Sequence, residues 1–85
     1  RELTVVAAQM YARAYYTQNA INANREQQKL LSELLSSTKS RYRTGVGDHH
    51  ELILAQVEIS SLDAEHLRLI RELRVLKARM NEMKA

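Results

Sequence analysis

The sequence predicts an all-α protein, a long antiparallel two-helix coiled-coil hairpin. The 85 residues contain no proline and only two glycines, Gly45 and Gly47, which lie close together near the middle of the chain. On both sides of these glycines, apolar residues recur at alternating spacings of three and four, the pattern of a helix packed against a partner helix. We therefore expect a single domain over residues 1–85, with helix over about 2–43, a turn over 44–48 and a second helix over about 49–84.

The first predicted helix carries a seam in which several positions are small or uncharged polar residues. This first seam consists of Leu3, Ala7, Met10, Ala14, Thr17, Ile21, Asn24, Gln28, Leu31, Leu35, Thr38 and Tyr42. Small residues allow the partner helix to approach closely, whereas polar residues weaken the drive to bury the seam. The run Ser36-Ser37-Thr38 has poor helix propensity, but the spacing continues through it, so we expect the helix to continue to about Arg43.

The break at residues 45–48, which read Gly-Val-Gly-Asp, predicts a tight reversal of the chain. Glycine adopts left-handed backbone conformations at no steric cost and commonly ends helices. Asp48 is a suitable N-cap for the second helix, and Glu51 three residues later completes a capping box. Both carboxylates would also interact favourably with the positive end of the helix dipole.

The second predicted helix carries the clearer seam, in which nine of the ten positions are apolar. This second seam consists of Leu52, Ala55, Ile59, Leu62, His66, Leu69, Leu73, Leu76, Met80 and Met83. Such a repeat indicates a left-handed supercoil against a partner helix. If the chain turns back within the break, Ile21 in the first seam should contact Leu69 and Leu73 in the second.

Three histidines could be read as metal ligands, but their positions favour other roles. His49 and His50 are adjacent on a helix, so their side chains point about 100° apart and cannot chelate one ion in the usual i, i+4 manner. We expect them to form a polar first turn. His66 lies in the second seam, where the antiparallel pairing predicts that it is a hydrogen-bonded core residue beside Asn24 or Gln28.

Each predicted helix also has a second, fainter stripe of apolar or small residues. In the first helix the stripe includes Val6, Tyr16, Ala20, Ala23, Leu30 and Leu34, and in the second Ile53, Val57, Ser60, Ala64, Leu67 and Ala78. A helix with two apolar flanks packs against neighbours on both sides. The stripes therefore predict association into a larger assembly, either a four-helix bundle or a cylinder of helices.

The residues around the break carry a family resemblance. Residues 41–45 read Arg-Tyr-Arg-Thr-Gly, residues 52–56 read Leu-Ile-Leu-Ala-Gln, and a long helix rich in Leu, Ala, Glu and Arg follows. This combination resembles the TolC-like outer-membrane efflux proteins. The resemblance implies that the chain is a fragment of a longer channel protein, one of the helical hairpins that form the periplasmic part of a trimeric export duct.

The same resemblance implies partners, a location and a binding site. In this family the turns of the hairpins form the periplasmic tip, which meets a periplasmic adaptor protein and, through it, an inner-membrane pump. The matching turn residues here are Thr44, Gly45, Val46, Gly47 and Asp48. The segment would lie in the periplasm, with the outer membrane reached only through other parts of the channel, and the second stripes would contact neighbouring hairpins.

Other functional classes have less support in the sequence. No nucleophile stands at a meaningful spacing from a His and an acid, no phosphate loop is present and there is no cysteine, so we expect neither an enzyme nor a cofactor. The basic run Arg68, Arg71, Arg74 and Lys77 is interrupted by acidic residues and lacks aromatic platforms, so it predicts a solvated or duct-lining face rather than a nucleic-acid site. Two alternatives stay open: a self-associating coiled-coil scaffold, and the hairpin of a periplasmic adaptor itself.

Overall fold

Two long antiparallel helices form the molecule in a computed structural model, which describes residues 2–45 and 49–84. Helix α1 spans Glu2–Arg43 and helix α2 spans His49–Lys84, so both predicted helices are confirmed. Within these ranges no strand is present, and the molecule is a rod measuring 65 × 15 × 14 Å. The predicted fold class, an all-α hairpin, is therefore confirmed, whereas the expected capping residue Asp48 lies outside the described residues.

The buried positions follow the two predicted seams closely. All ten positions of the second seam are buried or half-buried, as are ten of the twelve positions of the first. The two exceptions, Leu3 and Tyr42, lie at the ends of α1, where the partner helix covers less of each side chain. The alternating spacing therefore identified the contact surface between the helices, including Thr38 in the run of poor helix formers.

The centre of the contact is a small apolar cluster. Ile21, only 1% exposed, packs with Leu69 and Leu73, as the predicted antiparallel pairing requires. Ala14, Ala20 and Ile70 pack against this cluster from its edges. Because only two helices contribute, each buried side chain is covered mainly by one facing helix and its own neighbours. Three of the five buried apolar residues in the described ranges belong to this cluster, so it contributes a substantial part of the hydrophobic stabilisation.

Thr17 shows how a polar residue is accommodated in the seam. Its hydroxyl donates a hydrogen bond of 2.8 Å to the carbonyl oxygen of Arg13, one turn earlier in the same helix. Threonine side chains often satisfy their hydroxyl this way within helices. The polar atom therefore needs no partner on α2, and only the methyl group and the small volume of Thr17 matter for packing.

A polar layer interrupts the apolar contact between the helices. The side-chain amide of Asn24 donates to the carbonyl oxygen of Leu62 at 3.2 Å, and that of Gln28 donates to the carboxylate of Asp63 at 2.7 Å. His66 is half-buried, and its Nδ1 has no hydrogen-bond partner among the described residues. The expectation that His66 is a hydrogen-bonded core residue is therefore wrong for Nδ1. The side-chain amides of Asn24 and Gln28 donate instead to groups about one turn earlier on α2.

The glycine at the end of α1 adopts the predicted left-handed conformation. Gly45 has φ of 81°, and its N–H donates to the carbonyl of Tyr42 at 3.1 Å. The N–H of Thr44 donates to the carbonyl of Ser40 at 3.3 Å, while the Thr44 hydroxyl donates to that of Arg41 at 2.8 Å. These bonds satisfy carbonyl groups that would otherwise lack partners at the helix end.

Replacing Gly45 with Ala should lower the free energy of unfolding by about 1–2 kcal/mol, the usual cost of a left-handed backbone for a residue with a Cβ. A Cβ at this position would meet no heavy atom within 4 Å, so the loss should arise from backbone strain alone. Urea unfolding followed by circular dichroism measures it. Gly45→Asn is the control, because asparagine adopts this conformation more readily and should lose less. Equal losses in the two variants would contradict this explanation.

Candidate functional site

The described part of the tip consists of the end of α1, the start of α2 and the residues Thr44 and Gly45, both exposed. The rings of Tyr42 and His49 lie 5.6 Å apart between centroids at an angle of 42°. This ring contact joins the end of α1 to the start of α2 beside the turn. The other three residues of the predicted docking site, at positions 46–48, lie outside the described residues.

An ion pair across the helices also lies near the tip. The guanidinium of Arg41 is 3.7 Å from the carboxylate of Glu51, and both side chains are about half exposed. Exposed pairs of this kind contribute about 0–1 kcal/mol, so this pair adds little to stability. The tip therefore presents a small polar surface formed by both helices.

A second candidate surface runs along one side of the rod. Four shallow grooves follow the line where the helices meet, and the residues that line them recur at spacings of three and four on each helix. We call this side the groove face. On α1 it includes Val6, Gln9, Arg13, Gln27, Leu30, Leu34 and Arg41, and on α2 Glu51, Leu54, Glu58, Arg68, Glu72, Val75 and Arg79.

The groove face exposes several large apolar side chains. Leu30 is 63% exposed, and Leu34, Leu54 and Val75 are about half exposed. The stripe predicted on α1 has the same spacing as this face. Its member Tyr16 lies seven residues after Gln9, so Tyr16 also belongs to the groove face. Contiguous exposed apolar surface commonly marks an interaction site. Leu54 and Val75 were not identified from the sequence, because the stripe predicted on α2 follows a different side of that helix.

The stripe predicted on α2 is also solvent-exposed. Its members Ile53, Val57, Ser60, Ala64, Leu67 and Ala78 are all exposed. Each member comes one position before a residue at the spacing of the groove face. Because successive residues of a helix point in different directions, the stripe lies on another side of α2, which faces away from the seam. The hairpin therefore offers a further apolar surface to neighbours, separate from the groove face.

The charges on the groove face are distributed unevenly along the rod. Near the base, the end opposite the turn, Arg13 and Arg79 line the same groove of about 450 Å³, and neither forms an ion pair with any residue in 2–45 or 49–84. Arg71 lines the adjoining groove and also has no ionic partner in these ranges. Nearer the tip, Glu58 lines the grooves beside Leu30 and Leu34 and likewise has no ionic partner in the described ranges. The face is thus cationic near its base and anionic towards its tip.

Between these ends, Arg68 is already neutralised within its own helix. Its guanidinium binds Glu65 at 2.6 Å and Glu72 at 3.3 Å. The hydrogen bonds from Arg68 hold the pKa of Glu65 below its ordinary value and in turn raise the pKa of Arg68. These groups are solvent-exposed, so the pairs fix side-chain positions and contribute little to stability. The basic run predicted from sequence is therefore interrupted by acidic partners at its first member.

The described part of the chain shows no group of three or more His, Asp or Glu side chains placed to hold a metal ion. Neither helix, over the ranges described, has a stretch long and apolar enough to cross a membrane. Comparison with protein-family models, with curated proteins and with solved structures gives no match for this chain.

Proposed function

We propose that this chain is a periplasmic hairpin of a TolC-like outer-membrane efflux channel, which forms part of the wall of the export duct and docks a periplasmic adaptor at its tip. The role is structural and involves no catalysis. The observation that carries the proposal is the segment around the turn, where Arg-Tyr-Arg-Thr-Gly at 41–45 is followed by Leu-Ile-Leu-Ala-Gln at 52–56. A helix end closed by left-handed Gly45 suits the sharp turn that such a tip requires.

The two exposed apolar surfaces support a place in the wall of a cylinder. A helix in such a wall touches one neighbour through its seam and another through a different side. On α1 the second surface includes Leu30 and Leu34, and on α2 it includes Val57 and Leu67. In a trimeric channel these surfaces would be covered by adjacent hairpins, and the adaptor at the tip would connect the duct to an inner-membrane pump.

Val46→Asp is the variant that tests adaptor docking most directly. In the full-length protein that contains this hairpin, we expect the variant to reach the outer membrane as a trimer but to lose efflux and crosslinking to the adaptor. A charged side chain on a polar turn should be tolerated in folding but should oppose an apolar contact with a partner. Drug or metal export from cells and crosslinking yield are measured together with trimer level.

Val46→Ala is the matched control, because it shortens the side chain without adding charge and should retain most transport. Bulky substitutions at Gly45 or Gly47 should also impair efflux, because a side chain there would hinder close approach by the partner's helices. Normal export and normal crosslinking by a folded Val46→Asp channel would show that this residue does not dock the adaptor.

The second candidate function is a self-associating coiled-coil scaffold. It is favoured by the exposed leucines of the groove face, which an isolated hairpin leaves in contact with water. The full-length sequence distinguishes the two functions. A signal peptide, amphipathic strands and a second copy of the hairpin would be expected of a channel but not of a scaffold.

A further inference from the structure

We propose that the groove face binds a second copy of this chain in antiparallel orientation, so that two hairpins form a four-helix bundle. The inference concerns the 85-residue chain by itself. It does not rest on the channel function, and it gives a geometry for the self-association of the second candidate function. It goes beyond the parallel arrangement of neighbouring hairpins that a channel wall would need. Four features of the groove face lead to it: its free charges, their positions along the rod, its apolar residues and its size.

The free charges are self-complementary only when one copy is reversed. Arg13 and Arg79 lie on the base side of the rod, and Glu58 lies on the tip side. In a parallel pair, both arginines would face the arginines of the other copy, and each Glu58 would face another Glu58. In an antiparallel pair, the two arginines of each copy approach Glu58 of the other copy, twice per dimer. Like-charge juxtaposition across an interface is strongly unfavourable, so the charges favour the antiparallel arrangement.

The positions of these charges match a fully overlapping dimer. Leu34 lines a groove with Glu58, so it marks the level of Glu58 along the rod. Helix α1 spans Glu2–Arg43, and Arg13 and Leu34 lie about 15 Å from its midpoint in opposite directions. A two-fold axis through the middle of the rod therefore brings the cationic and anionic regions together without an offset. Near that axis the two copies of Arg68 meet, and each is already neutralised by carboxylates of its own helix. Arg71, which lines the same groove without an ionic partner in the described ranges, also lies near the axis. It would lie close to its own copy in either orientation, so it does not distinguish the two arrangements.

The apolar residues of the face also become opposed in this arrangement. Leu30, Leu34 and Leu54 lie on the tip side, whereas Tyr16 and Val75 lie on the base side. Reversing one copy places each of these groups against the other, so that apolar surface is covered along most of the rod. Exposed leucines and a tyrosine of this kind supply the burial that drives association.

The size of the face is sufficient for a stable dimer. The rod is 65 Å long and 15 Å wide, so full coverage of one side would bury on the order of 900 Å² per chain, close to the roughly 800 Å² per partner of a standard interface. The resulting dimer is isologous, because the same residues contribute from both copies. It would hold four helices around an interior formed by the two groove faces.

Sedimentation of the 85-residue chain tests the proposal first, and a species of twice the 9.8 kDa chain mass is expected. Glu58→Arg should raise the dimer dissociation constant by about tenfold or more, because it places three cations together. The double variant Arg13→Glu, Arg79→Glu should do the same with anions. An equimolar mixture of the two variants should recover a heterodimer, which also shows that both variants are folded. A monomeric wild-type chain, or variants that dimerise as well as wild type, would overturn the proposal.

Crosslinking then tests the orientation. The chain has no cysteine, so single cysteines can be placed at Gln9 near the base and Ser37 near the tip, both exposed and both in register with the groove face. In an antiparallel dimer a short bismaleimide should join Gln9→Cys to Ser37→Cys in a mixture and should not join either variant to itself. Self-crosslinking of each variant without the mixed product would indicate a parallel dimer and reject the proposal.

Discussion

Replacing Leu69 with Ala is expected to lower the free energy of unfolding of the hairpin by about 2–5 kcal/mol. Leu69 is 6% exposed and packs with Ile21 and Leu73 in the apolar cluster between the helices. The substitution removes buried methyl groups and leaves a cavity that two long helices can close only in part. Because small domains are stable by about 5–15 kcal/mol, this loss is a large share of the total stability.

The matched control is Leu67→Ala, which makes the same chemical change two residues away. Leu67 is 63% exposed and faces away from α1, so its truncation should change the free energy of unfolding by no more than about 0.5 kcal/mol. Urea unfolding of both variants at one protein concentration provides the comparison. Similar losses in the two variants would show that the seam of α2 does not face α1 in the register described.

The contact between the helices could be predicted because one simple physical rule determines it. A residue is buried when it recurs at the spacing that keeps one side of a supercoiled helix against its partner. That rule placed Ile21 against Leu69 and Leu73, and it also identified Asn24 and Thr38 as buried although they are polar. The left-handed Gly45 was predictable for a similar reason, since no other residue type in the break enters that conformation as easily.

The hydrogen bonds inside the contact could not be predicted by the same rule. Spacing gives the level of a residue along the rod to within about one turn, whereas a hydrogen bond depends on differences of less than 1 Å. Asn24 therefore reaches the carbonyl of Leu62 rather than the ring of His66, one turn further along α2. The Nδ1 atom of His66 is left without a partner in the described part of the chain, which no pattern in the sequence indicates.

The groove face was only partly predictable from the sequence. On α1 the faint stripe follows this face, because its residues keep the spacing of the seam at a constant offset. On α2 the most apolar stripe lies elsewhere, and the face is formed instead by a mixed set that includes Leu54, Glu58 and Arg79. Which residues of two helices share a groove depends on how each helix is rotated about its own axis. Composition along one helix does not reveal that rotation.

The second large effect is expected from Asn24→Asp, which places a carboxylate at a position only 4% exposed and beside the carbonyl oxygen of Leu62. An ionised carboxylate cannot donate to that carbonyl and loses its hydration, so burial should raise the folded-state pKa of the introduced group above the ordinary value of about 3.9. Below that value the protonated group can donate to Leu62 much as the amide does. As the pH rises towards the folded-state pKa, the unfolded chain releases its proton first, and stability is lost progressively.

The size of this loss has an upper limit set by proton linkage. Each unit of pH between the unfolded-state pKa and the folded-state pKa lowers the free energy of unfolding by about 1.4 kcal/mol. Proton linkage alone can therefore lower it by at most about 4 kcal/mol at pH 7. Urea unfolding of the variant and of wild type from pH 3 to 8 measures the difference between them at each pH. Asn24→Leu is the control. This substitution removes the Oδ1 atom that has no hydrogen-bond partner, and the Leu62 carbonyl keeps the N–H of its own helix. It should therefore change the free energy of unfolding very little, and equally at every pH. A difference between Asn24→Asp and wild type that stays flat across this range would show that residue 24 is not enclosed between the helices.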